Sequence, residues 1–280
     1  MRQREFVFTD QDFERIRSLI YTHAGISLSL TKRDMVYSRL ARRLRANGMT
    51  SFQVYLDALM EDGAEWEEFV NALTTNLTAF FRESHHFPVL AEHLASARAR
   101  VERPLRIWSA GCSTGEEPYT IAMTAINAFG VWNPPVRILA TDLDSQVIRQ
   151  AAQGIYHSDR VSKVPEGDVK RFFLRGFGSN AGMVRMRPEV RRLVTFRTLN
   201  LLGAAWPLKG PFDVIFCRNV LIYFDKPTQY RLMQRFHQLM TPDSLLFVGH
   251  SESLAHATDL FRLRGKTIYE PVRRSQSLCE

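Results

Sequence analysis

"RIWSAGCSTGEEPYTIAM", residues 106–123, runs from an apolar, strand-like segment through a turn with two glycines into an amphipathic helix. In a doubly wound α/β sheet, ligands bind beyond the carboxyl ends of the strands near the switch point, next to a glycine-rich turn after the first strand. The stretch follows that grammar, with Gly111 and Gly115 in the turn and a helix opening at Glu116. Cys112, Ser113 and Thr114 separate the two glycines, so the dinucleotide fingerprint GxGxxG is absent and a pyrophosphate is not indicated. Further apolar runs, "VRILATD" (136–142), "FDVIFCRN" (212–219) and "SLLFVGH" (244–250), alternate with amphipathic helices. That alternation predicts a parallel sheet covered on both faces, a doubly wound Rossmann-like α/β domain.

Upstream the pattern is helical. "TDQDFERIRSLIYTHAG" (9–25) opens with Thr/Asp capping chemistry, repeats Phe13, Ile16 and Ile20 at helical spacing, and stops at Gly25. Similar segments follow at 31–47, 51–61 and 64–75, each set off by a turn signal, and none alternates as a strand would. We read a small all-helical domain over residues 1–84 and the α/β domain over 85–280, opening with the helix "SHHFPVLAEHLASARARV" (84–101). One piece fits the α/β rhythm less well: "RFFLRGFGSNAGMVRMRPEVRRLVTF" (171–196) places a Gly/Ser/Asn loop between two segments rich in β-formers. It predicts an antiparallel hairpin, a small β-subdomain inserted at about 160–195. The last residues, "RRSQSLCE", read as a frayed tail.

The chain of 280 residues is 45% hydrophobic, enough for one large or two modest cores. The segment "MRQREFVFTDQDFERI" has no uninterrupted apolar stretch of the secretory type, and no window approaches the roughly 18 apolar residues of a membrane span, so a cytoplasmic location without membrane insertion is expected. Cys112, Cys217 and Cys279 show no metal-like spacing, and the adjacent His85 and His86 cannot share a helix face as ligands, so no metal is expected. Lys and Arg total 37 against 29 Asp and Glu, a net charge of +8 that favours an acidic partner.

The second predicted strand ends in "ATDLDS" (140–145), and a carboxylate at that position hydrogen-bonds ribose hydroxyls in this fold, which makes Asp142 the ribose candidate. Glu116 and Glu117 at the first helix start disfavour a phosphate there and welcome a cationic, phosphate-free nucleoside. S-adenosylmethionine fits that description. Asn200 in "TLNLL" (198–202) and Arg218 and Asn219 in "FCRNVLIYFD" (216–225) follow later strands, where this architecture puts its binding groups. Arg82 in "NLTAFFRES" (76–84) offers a fixed fork of donors to a carboxylate, while Phe80 and Phe81 would exclude water. In "TKRDMVYSRLARRLRANG" (31–48), Lys32, Arg39 and Arg43 fall on one helical stripe beside the apolar Val36, Leu40 and Leu44. That basic stripe is the candidate docking surface for an acidic partner.

Taken together, "NLTAFFRES", "SAGCSTGEEPY", "TDLD", "NLL", "FCRNVLIYFDK" and "GHSES" resemble the bacterial chemotaxis protein methyltransferases, the CheR family of chemoreceptor glutamate O-methyltransferases. The resemblance covers nearly the whole chain. It implies that S-adenosylmethionine supplies a methyl group to glutamates in the cytoplasmic helical bundle of chemoreceptors, giving methyl esters and S-adenosylhomocysteine, with recruitment to membrane-bound receptor arrays. By the same resemblance Asn76, Thr78, Arg82, Glu117, Asp142, Asn200, Leu201, Arg218 and Asn219 surround the cofactor, with Arg82 and Tyr223 closest to the transferred methyl. The inserted hairpin resembles the β-subdomain that, in some members, grips a receptor's C-terminal peptide as an added edge strand. Two rival classes share the fold: an RNA or DNA methyltransferase, and a signalling module that binds S-adenosylmethionine without turnover. No nucleobase clamp is visible past the strand ends, and intact Arg82 and Tyr223 argue against the module.

Overall fold

The structure is a computed structural model, and it describes residues 4–60, 63–74, 77–100 and 102–273. The chain forms two compact units: residues 1–76 with Tyr223–Asp225, and residues 77–222 with 226–280. The division falls at 76/77 and not at 84/85, because Phe80 and Phe81 pack into the core of the second unit. Asn76, Cys279 and the tail from residue 274 lie outside the described residues.

The first unit contains α1 (Asp10–Ala24), α2 (Arg33–Ala46), α3 (Phe52–Leu59) and α4 (Gly63–Leu73). Thr9 and Asp12 cap α1 reciprocally, each side chain accepting from the other's backbone N–H, and Gly25 ends it in the left-handed conformation. The helical periodicity then decides the core: Phe13, Ile16 and Ile20 of α1, Val36, Leu40 and Leu44 of α2, and Phe52, Leu56 and Leu59 of α3 are all buried. Tyr223–Asp225 belong to this unit, with the Ser27 N–H donating to Tyr223 O at 2.7 Å and the Tyr21 hydroxyl to Asp225 Oδ2 at 2.9 Å.

The second unit begins with α5 (His86–Arg98), followed by β1 (Leu105–Ala110), α6 (Glu116–Phe129), β2 (Val136–Asp142) and α7 (Ser145–Gln153). Next come β3 (Ile155–His157), α8 (Glu166–Phe172), β4 (Phe173–Arg175), β5 (Met183–Met186), α9 (Pro188–Arg191) and β6 (Val194–Thr198). The chain closes with β7 (Phe212–Cys217), α10 (Lys226–Gln238), β8 (Met240–Val248), β9 (Phe261–Gly265) and β10 (Ile268–Pro271). The main sheet has seven strands in the order β6-β2-β1-β7-β8-β10-β9; β6 to β8 run parallel and β10 and β9 antiparallel. The strand order reverses between β1 and its neighbours β2 and β7, which sets the ligand crevice at the carboxyl end of β1. Every residue of β7 is buried, as expected for a strand covered on both faces. Trp108 of β1 is wholly buried among Trp206, Phe212 and Phe236, and its indole N–H donates to Thr141 Oγ1 at 2.9 Å.

The inserted β-subdomain is a separate antiparallel sheet ordered β3-β5-β4, so the predicted hairpin gains a third strand from Ile155–His157. The segment "VTF", read with the hairpin, instead forms β6 at the edge of the main sheet beside β2. Among the described residues, no helix is long and apolar enough to cross a membrane.

Candidate functional site

Gly111 and Gly115 shape the turn between β1 and α6. Both have positive φ, 89° and 97°, and a Cβ on Gly115 would stand 2.9 Å from both the Tyr156 hydroxyl and Ala151 Cβ. The turn is tied to β2: Gly111 N–H and Cys112 N–H both donate to Thr141 O, and Ser113 N–H donates to Asp142 Oδ2 at 2.8 Å. Asp142 Oδ1 accepts from Asp144 N–H at 3.1 Å, and Leu199 N–H donates to Asp142 O, so the end of β6 follows the end of β2. Burial raises the Asp142 carboxyl above its ordinary range, against the pull of these backbone donors.

Glu117 enters from the first turn of α6. Its Oε1 accepts from the Ser109 hydroxyl at 2.7 Å, and its Oε2 from Arg218 Nη1 at 3.0 Å. Burial pushes the Glu117 carboxyl up while Arg218 and Ser109 oppose the shift. The Cys112 thiol is pushed far up, by burial first and then by the Asp142 and Glu117 carboxylates. Neighbouring Glu116 is wholly buried and pairs with Arg160, whose Nε stands 3.1 Å away, while Thr114 donates its hydroxyl to Glu116 at 2.6 Å.

Arg218, 5% exposed, is the hub. Besides Glu117 it donates to the backbone carbonyl of Arg82 and lies 3.3 Å from Glu83 Oε2, and its Nε–H has no hydrogen-bond partner. Glu83 Oε1 accepts from the His250 backbone N–H at 3.2 Å and pairs with its ring Nδ1 at 2.9 Å. Burial alone would raise Glu83, but His250 and the Arg218 charge outweigh it and hold the carboxyl at about 2. His86 is wholly buried with Nε2 facing Lys266 O and Thr267 Oγ1, and burial followed by the Arg218 charge lowers it to about 4. Glu252 Oε2 accepts from the backbone N–H groups of Asn219 at 2.8 Å and Gly249 at 2.5 Å, fixing Asn219 at a φ of 60°. Phe81, Glu83, Ser113 and Asn219 are four of the non-glycine residues with positive φ, and all four lie in these loops.

The structure links Arg82, Glu117 and Arg218 by hydrogen bonds, with Asn219 next to Arg218 in the chain and Asp142 tied through Ser113 N–H to the turn that opens the helix of Glu117. Thr78 joins through its carbonyl, which accepts from Arg160, and the Arg82 guanidinium donates to Leu77 O at 2.7 Å. Leu201 is buried and its carbonyl accepts from Trp206 and Arg235, while the Asn200 side chain caps its own turn by accepting from Leu202 N–H. Tyr223 groups with the helical unit. Glu83 and Glu252 were not singled out from sequence; the signal available was a carboxylate directly after Arg82 and another inside "GHSES".

In the helical unit the basic stripe is largely engaged in internal bonds. Arg43 makes paired bonds to Glu65 at 3.0 and 2.6 Å and reaches Glu68 at 3.2 Å, and the Tyr55 hydroxyl donates to the same Glu65 at 2.7 Å. Arg39 donates to Ala72 O and Thr74 O. Lys32 is exposed, while Arg39 and Arg43 are half-buried and bond to α4 and to Thr74 just after it.

A family model described as CheR methyltransferase, SAM binding domain, matches residues 76–269, and one described as CheR methyltransferase, all-alpha domain, matches 11–74. The chain belongs to the CheR methyltransferase family. It is 53% identical over 268 residues to "Chemotaxis protein methyltransferase 2" of Pseudomonas aeruginosa, covering 96% of this chain and 95% of that one. With "Chemotaxis protein methyltransferase" of Escherichia coli K12 it shares 49% identity over 263 residues, covering 93% and 91%. Its CheR domain binds S-adenosylmethionine, and the crevice has donors and acceptors suited to it. Two half-buried carboxylates, Glu117 and Asp142, can accept from hydroxyl or ammonium groups, and buried Arg218 keeps an unpaired N–H.

Proposed function

We propose that this protein methylates glutamate side chains of chemoreceptors, the reading carried by one observation: half-buried Glu117, paired with buried Arg218, and half-buried Asp142 flank the β1–α6 turn at the switch point of a CheR methyltransferase chain. The names of its relatives supply the chemotaxis context. Bound S-adenosylmethionine supplies an electrophilic methyl group on a sulfonium centre. Asp142 would take the ribose hydroxyls, Glu117 and Arg218 the amino-acid tail, and Asn200 and Leu201 would flank the base, with Asn76, Thr78 and Asn219 completing the enclosure.

A glutamate acceptor has a reference pKa of about 4.3, so it arrives as an anion and needs no general base. The chain's task is then positioning and water exclusion. Arg82 commits one nitrogen to Leu77 O and has its other donors to turn toward the acceptor carboxylate. Phe80, buried against Tyr156 and Phe173, and Phe81, packed on Phe87, hold the Arg82 loop and keep it dry. Tyr223 would orient the acceptor oxygen through its hydroxyl. Lys32, Arg39 and Arg43 would draw the chain to the acidic receptor bundle, and the β3-β5-β4 sheet would accept a receptor's C-terminal peptide as an added strand. Recruitment to the receptor array follows from those contacts and from no insertion of its own.

Incubation with methyl-labelled S-adenosylmethionine and chemoreceptor cytoplasmic fragments, followed by base treatment, tests the reading. Methyl esters release volatile methanol, so base-labile counts that vanish with Arg82→Ala and Tyr223→Phe are expected. Label found only in base-stable product or in added RNA would move the protein to another methyltransferase class. Cofactor binding without transfer to any receptor fragment would make it a signalling module.

A further inference from the structure

A second cleft, of about 720 Å³, lies in the α/β unit away from the family motifs. It is bounded by α5, the amino-terminal part of β8, and the β9–β10 hairpin, whereas the motif residues follow the carboxyl ends of β1, β2 and β7. Four arginines from separate segments line it: Arg100 after α5, Arg262 and Arg264 on β9, and Arg273 after β10. Glu270 pairs with Arg262 at 2.9 Å and only loosely with Arg264 at 3.8 Å. Among the described residues, neither Arg100 nor Arg273 has a carboxylate partner. Glu92 and Asp243 also line the cleft, both exposed at its rim.

His93 lines the same cleft from α5 and is 8% exposed. One side of its ring is hydrogen-bonded to the Asp213 backbone, and its Nε2 is buried with no partner. Burial, with Arg100 and Arg264 close by, holds the imidazole neutral. A buried acceptor nitrogen with no partner, beside Arg100 with no carboxylate partner and Arg264 only loosely paired, is a recognition surface for a group that brings a hydroxyl and several anionic oxygens at once. The opposite wall, Pro242, Leu245, Pro271 and Val272, is apolar and suits the organic part of a small molecule.

We propose that this cleft binds the phosphoryl end of a soluble phosphorylated small molecule. Guanidinium forks of Arg100 and Arg264 grip the anionic phosphoryl oxygens, His93 Nε2, an acceptor in the neutral ring, takes a hydrogen bond from a remaining P–OH, and Arg273 closes the open side. The site is separate from the crevice that holds S-adenosylmethionine, so a ligand there and the cofactor are bound together.

Calorimetric titration of the full chain with inorganic pyrophosphate tests this, with S-adenosylhomocysteine present in excess to fill the cofactor crevice. Saturable binding to one site is expected. The Arg100→Gln/Arg264→Gln protein should bind at least about tenfold more weakly, since two charge-assisted contacts are lost, and Lys163→Gln should bind as the parent does. Both arginines are exposed, so their loss leaves the core intact. Non-saturable heats, or an equal loss in the Lys163 variant, would reduce the interaction to general attraction by a basic chain and overturn the site. So would failure with pyrophosphate combined with arginine-dependent binding to phosphatidylglycerol vesicles, which would make the patch a membrane contact.

Discussion

Asp142 stands out by its place alone: a carboxylate at the end of the second strand needs no partner to be suspected of holding a ribose. The structure adds that both its oxygens already accept backbone N–H groups, so one residue fixes the turn and offers the remaining lone pairs outward. Asp142→Asn keeps the size but replaces an acceptor oxygen with a donor. S-adenosylhomocysteine affinity, read by calorimetry, should fall about tenfold, the cost of roughly one lost charged hydrogen bond; unchanged affinity would remove Asp142 from the ribose site. Glu83 and Glu252 were invisible for the opposite reason. Each is defined by partners more than 30 positions away, Glu83 by Arg218 and His250, and Glu252 by Asn219. The same cluster should make folding stability fall in acid. His86 is held at about 4 against an ordinary 6.5, so between those values the unfolded chain takes a proton that the folded one refuses. Its contribution is full above 6.5 and is lost as the pH falls toward 4. Glu83, held at about 2 against 4.5, adds a second loss as the pH falls below 4.5. Urea unfolding at a series of pH values should show the upper slope flattened in His86→Gln; an unchanged slope would place its origin elsewhere.

Helices and long buried strands declared themselves through periodicity, and α1 did so down to its caps at Thr9 and Gly25. Short strands did not. β3 has three residues, Ile155–His157, too few for any pattern, and the closing β9–β10 hairpin, "FRLRGKTIYEP", alternates charged and apolar residues only briefly. Their pairing is set by the sheet that receives them, which sequence-local reasoning cannot supply. On α2 the periodicity was right and its use was not visible, because Glu65 lies on another helix. Arg43→Ala would leave the 8% exposed Glu65 and the buried Tyr55 hydroxyl without their cation. We expect a loss of about 3 kcal/mol in urea unfolding, in the range for breaking a largely buried pair, with S-adenosylhomocysteine affinity unchanged. A loss under about 0.5 kcal/mol would return Arg43 to the class of solvated surface charges.

At the scale of the molecule, two units with different architectures carry one family's two matched regions, 11–74 and 76–269. A ligand bound only to the native second unit stabilises it by mass action, about 2.7 kcal/mol at a hundredfold excess over its dissociation constant. Hydrogen exchange with saturating S-adenosylhomocysteine should therefore slow at the turn 111–115 and the loops around 142, 200 and 218, and leave α1 to α4 as they were. Protection confined to α1 to α4 would relocate the cofactor.

Tyr223–Asp225 lie deep in the sequence of the methyltransferase domain and yet are counted with the helices. Neither unit is therefore a contiguous cassette. A chimera that joins the first 76 residues of one relative to the rest of another carries three residues from the wrong parent, matched to neither Ser27 nor Tyr21 of the new helical unit. In a library of such hybrids, those that also exchange positions 223–225 should be recovered more often, and over longer times the two segments should change in step as one inherited piece.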